Sequence, residues 1–149
     1  MEKKIKNPNV LLLEDIFNST ARSANTMAAI IEKTEDDGQK ALLSSLLETY
    51  ENFTGEAKKR LRELDIQTKS PGMLEKLPSE ASVALSTLTD RSGPKIAEIV
   101  IESAVMNVSE FKEKIRNADE AGAALEHIRL AGDILSFHEE MINKMRRYL

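Results

Sequence analysis

Eight positions in the last quarter of the chain recur at alternating intervals of four and three: Ala124, Ile128, Ala131, Leu135, His138, Ile142, Met145 and Leu149. That alternation approximates the helical repeat, so the residues stay on one face for several turns. A stripe this long commits the segment to a helix packed on other helices. It also carries an anomaly, because His138 stands where Leu135 and Ile142 call for an apolar side chain.

Other segments follow the same rule. Asn7-Pro8 is a helix start, Asn capping and Pro suiting the first helical position, and Leu13, Phe17, Thr20, Ala24, Met27 and Ile31 then repeat at helical spacing. The first helix is predicted over 8–33. Thr34-Glu35-Asp36-Asp37 resembles a capping box and opens a second helix at 36–64, with Leu43, Leu46, Tyr50, Phe53, Ala57, Leu61 and Leu64 inward. Pro71-Gly72 and Pro78 make 65–78 a connection. A short helix is expected at 79–90 with Ala81, Leu85 and Leu88 on one side, and Ser92-Gly93-Pro94 restarts the chain as a third long helix at 94–116. Asn117-Ala118-Asp119-Glu120 reads as a capping pattern opening the fourth, at 118–148.

The first and last links are tight, so each joins an antiparallel hairpin. The expected fold is all-α: a single domain over 1–149, a four-helix bundle of two antiparallel hairpins joined by a long crossover that contains a short helix. Helices of about 25 residues span roughly 35–40 Å, a distance that the 65–93 link is long enough to recross. A kinked helix over 79–116 in an up-down-up-down bundle satisfies the same pattern. The chain has no Trp, four Phe and two Tyr, so Leu, Ile, Val, Met and Ala fill the core, a mixture suited to helix-on-helix packing.

Composition also removes functions. A net charge of −4 and a pI near 5.3 oppose a nucleic-acid footprint, which needs a basic face to displace counterions from phosphates. The basic runs Lys58-Lys59-Arg60 with Arg62, and Lys144 with Arg146-Arg147, lie near helix C-termini, where cations suit the dipole. With no cysteine there is no disulfide, thiolate metal site or cysteine nucleophile. The apolar run Val10 to Leu13 is too short for a signal core or a membrane span, so a cytoplasmic location and no membrane partner are expected.

The two-hairpin layout with a long middle crossover resembles the ferritin-like superfamily over nearly the whole chain. Members that bind two irons carry one Glu on each of the first and third helices and a Glu-x-x-His pair on the second and fourth. Here the second helix has no histidine. Ala124 stands three before His127 and Leu135 three before His138, so the metal pattern is missing and with it the implied oxidase or iron-storage activity.

Two histidines are the remaining candidates for chemistry. His138 is expected as a buried imidazole satisfied by Thr20, Tyr50 or Ser103 on a facing helix. His127 invites comparison with histidine phosphotransfer domains, whose reactive His is followed at three by Lys and at four by Gly, but those places hold Leu130 and Ala131. His138-Glu139 resembles the His-Glu pair of sensor-kinase dimerisation helices for two residues and no further. Glu48, Glu51, Glu98, Glu102 and Glu126 are out of phase for a shared carboxylate site.

The third helix has more apolar surface than one bundle face requires, with Ile96, Ala97, Ile99, Val100, Ile101, Ala104, Val105, Met106 and Val108 around most of its circumference. Either the short helix or a second subunit covers it. The expected function is non-enzymatic, through self-association into a homo-oligomer or binding of another helical protein. No catalytic residue, metal ligand or cofactor is assigned. The alternative is a ferritin-like metal- or small-ligand-binding bundle with a degenerate site around His138.

Overall fold

The computed structural model describes residues 7–68 and 79–149, and among these every regular element is helical. Helix α1 spans Pro8–Lys33, α2 Asp37–Glu63, α3 Ser79–Ser86, α4 Gly93–Glu120 and α5 Leu125–Met145, followed by a 3₁₀ turn at Arg146–Tyr148. The expected Pro71-Gly72 and Pro78 break lies outside the described residues, as does the Ala81 side chain.

Local chemistry explains these bounds. The Asn7 side chain accepts the Asn9 N–H at 2.8 Å and Pro8 follows, so α1 begins where the sequence placed it. At the next junction Asp36, not Thr34, is the cap. Its carboxylate accepts the Gln39 N–H at 2.7 Å, while the Thr34 hydroxyl turns back to the Ile30 carbonyl. Ser92 caps α4 through the Lys95 N–H.

Two boundaries differ from expectation. The short helix stops at Ser86: Thr87 N–H makes the last regular bond, to the Val83 carbonyl, and Leu88 N–H turns to the Leu85 carbonyl three residues back. Helix α4 runs on through Asn117–Glu120, which end it and do not open α5. Ala118 is buried in the core, and the stop comes from Gly122 at φ 83: Ala123 N–H bonds the Ala118 carbonyl and Gly122 N–H that of Asp119. The same double bond ends α2 with Asp65 at φ 59, a conformation that glycine adopts more cheaply. Asp65→Gly should therefore stabilise by about 1 kcal/mol and Gly122→Ala destabilise by about 1–2 kcal/mol in denaturant melts. Shifts of equal sign would refute this account of the two ends.

Helix α1 packs along α2, and α4 along α5. Tertiary bonds fix which ends meet. The Asn9 side-chain oxygen accepts the Ala124 N–H at 2.6 Å, and Arg60 donates to the Glu126 carbonyl at 3.0 Å, gathering the start of α1, the end of α2 and the start of α5. At the opposite end Gln39 donates to the Gly93 carbonyl at 3.0 Å, and the Tyr148 ring lies against Gly38 and Gly93. Helices α1 and α5 thus run one way, α2 and α4 the other.

The core has two apolar clusters. One joins Leu13, Ile16, Phe17, Ala57, Leu61, Phe111 and Ile134, the other Met27, Ile30, Leu43, Leu46, Ile96, Val100, Met141 and Leu85 of α3. Each buried Leu, Ile, Phe or Met contributes about 1.5–3 kcal/mol. Between the clusters lies a mid-bundle layer with polar groups, where Thr54 donates to Thr20 at 2.8 Å and His138 faces Tyr50.

The inward stripe of α5 is His127, Leu130, Ala131, Ile134, His138, Met141 and Met145. Ala131, His138 and Met145 belong to the expected stripe, but Ile128, Leu135 and Ile142 are only half-buried and Leu149 is exposed. Both stripes have helical spacing and share three members, and the choice goes to the one that puts Ile134 into one cluster and Met141 into the other. On the other helices Ile31 and Phe53 are half-buried and Leu64 is exposed, against expectation, and the remaining predicted core positions of α1 and α2 are buried.

Candidate functional site

His138 is 1% exposed, and neither ring nitrogen has a hydrogen-bond partner. Its surroundings are rings: Phe111 at 5.3 Å, Tyr50 at 5.6 Å and Phe137 at 6.0 Å between centroids. None of the expected partners bonds to it. Thr20 donates to the Ile16 carbonyl at 2.8 Å, the Tyr50 hydroxyl points to the Met141 sulfur at 4.0 Å, and Ser103 lines a cleft between α1 and α4. Burial alone pushes the imidazole down to about 4, so the ring is neutral at physiological pH.

His127 is also nearly buried and works as a clasp. Arg60 donates to its Nδ1 at 3.2 Å and ion-pairs with Glu56 at 2.9 Å, tying the end of α2 to the start of α5. Arginine only donates, so Nδ1 accepts and the neutral ring carries its proton on Nε2, 3.7 Å from the Glu126 carboxylate. Burial lowers the His127 pKa, with Glu126 opposing and Arg60 adding to the shift. A ring with one nitrogen occupied and the other beside a carboxylate is poorly placed to accept a phosphoryl group.

The five glutamates are all exposed, Glu98 pairing with Lys95 at 3.7 Å. Among the described residues no three His, Asp or Glu side chains gather where a metal ion would sit. No described helix is long and apolar enough to cross a membrane.

A cleft of about 350 Å³ opens between α1 and α4 beneath α3. Ile30, Leu85, Ile99 and Met106 form its apolar lining, with Ser23, Thr26, Ser103 and Asn107 as its polar one. The Asn107 amide donates to the Ser23 hydroxyl at 3.4 Å across the helices. Below them Tyr50 is buried; desolvation raises its phenol far above the ordinary value, with Ser23 and Asn107 pulling the other way. The sequence placed Tyr50 and Ser103 on inner faces and Ile99 and Met106 in the surplus apolar surface of the third helix, but it did not show the cleft. The remaining signal, Ser23 and Asn107 at half-buried positions of separate helices, becomes a pattern only when the helices are placed side by side.

Compared with known proteins, the chain matches no family model, no curated protein and no solved structure.

Proposed function

We propose that this chain is a non-enzymatic bundle of ferritin-like layout that acts by association, foremost with a second copy of itself. Helix direction supports the layout. Helix α2 finishes where α1 and α5 begin and α4 starts at the other end, so the link between α2 and α4 has the bundle's length to cover. Both histidines have structural surroundings, one among rings and one in an ion-paired clasp, which supports a role without catalysis.

The observation that carries association is the outer side of α4. Val105 is 52% and Met106 66% exposed, and Val83 on α3 is 61% exposed. Helix α3 buries Leu85 and covers the Ile99 side, leaving those residues in water. Covering such side chains with a second surface is favourable, and a closed twofold pair does so without open-ended growth. Glu102, exposed on the same helix, belongs at the rim of the contact, where it keeps its water.

Val105→Asp and Met106→Asp should each give a folded monomer, since a charge is costly in a buried contact and cheap in water. Circular dichroism reports the fold and size-exclusion chromatography the assembly. Ile101 is a poorer probe because it packs on the core. Variants that keep the unmodified protein's assembled size would remove this side of α4 as the interface.

A further inference from the structure

We propose that the cleft between α1, α3 and α4 binds one small, uncharged amphiphile, a molecule with an apolar body and a single hydroxyl head. Its volume of about 350 Å³ falls within the range of small-molecule pockets, which typically combine apolar walls with a few convergent polar groups. The walls here are Ile30, Leu85, Ile99 and Met106.

The polar floor has unspent capacity. Several helix hydroxyls bond back to the preceding turn, as Thr20, Thr34 and Ser44 do. Thr26 and Ser103 make no hydrogen bond to the protein among the described residues, although both line the cleft. Beneath them a void of about 10 Å³, sharing Ser23, Thr26, Ile30 and Ser103 with the cleft, reaches Tyr50. Tyr50 is 2% exposed, and its hydroxyl lies 4.0 Å from the Met141 sulfur, with Ser23 and Asn107 also acting on it from the cleft side. A hydroxyl head, with one donor and two acceptor sites, can bond up to three among these hydroxyls and the Asn107 amide.

The head must be uncharged. Hydroxyls and one amide make up the floor, so an ion seated there would be desolvated without a counter-charge. The ionised lining groups are Arg22, Glu102 and Glu110, all exposed and of mixed sign. Helix α3 supplies Ala84 and Leu85 as the cover, which gives the crossing segment a role beyond connection.

Octan-1-ol, octanoate and octylammonium share a tail and differ in head charge, and titrating each into ¹⁵N-labelled protein tests the assignment. Octanol should give one saturable site with amide shifts centred on Ser23, Leu85, Ser103 and Asn107. It should bind at least about tenfold more tightly than either ion. Ser103→Leu, which fills the floor, should weaken octanol about tenfold while octanol still shifts the same region weakly. The shift map on the unmodified protein stands even if that variant fails to fold. Absence of saturation, equal affinity for the three heads, or shifts centred instead on a second groove, between α1 and α2 and lined by Ala28 and Gly55, would overturn the proposal. The floor lies within one chain, so a monomeric protein that binds octanol separates this site from the association reading.

Discussion

On acidification from neutral pH the protein should lose up to about 3 kcal/mol of stability through His138 alone. The unfolded chain takes up this proton near pH 6.5, whereas the native ring resists it until about 4. Stability from this group is therefore complete above pH 6.5 and is lost as the pH falls toward 4. His127 is shifted in the same direction, so the His138 contribution needs isolating by substitution. His138→Leu keeps a similar volume and removes two buried nitrogens that have no partner. It should raise stability at neutral pH by about 1–3 kcal/mol and flatten the acid slope. Denaturant melts of both proteins at neutral pH and near pH 4.5 provide the comparison. Parallel pH profiles would show that the ring finds a partner or a proton in the folded state.

Ile134→Ala should cost about 2–5 kcal/mol, since truncation loses transfer energy and leaves a cavity between tightly packed helices. Ile134 is fully buried in the same apolar cluster as Leu13, Phe17, Leu61 and Phe111. Leu135→Ala should cost clearly less, because that side chain is only partly buried. Measured side by side, a larger loss at Leu135 would place the inward face of α5 one residue from where the structure puts it.

The contrast between Ile134 and Leu135 also marks how much was legible in the sequence. Helix existence and the limits of α1 and α2 follow from local rules, namely Asn7-Pro8, the acidic turn before Gly38 and helical apolar spacing. The inward face of α5 does not, because Ala131, His138 and Met145 serve two adjacent stripes and only the neighbours decide between them. The α4–α5 junction was misplaced for a similar reason: Asn117-Ala118-Asp119-Glu120 has capping chemistry, yet burial of Ala118 and the left-handed Gly122 keep it inside α4. His138 was identified as an anomaly, but its expected partners were wrong, since backbone carbonyls and Met141 compete for the hydroxyls of Thr20 and Tyr50. The cleft needed tertiary structure, because its groups come from three helices far apart in the chain.

Association is the central claim, and sedimentation velocity of the unmodified protein over a series from about 1 to 100 μM tests it most directly. Exposed Val83, Val105 and Met106 predict a species of at least two chains that dissociates toward monomer on dilution. A single monomeric boundary at every concentration would contradict the account and leave the outer side of α4 an ordinary solvated surface.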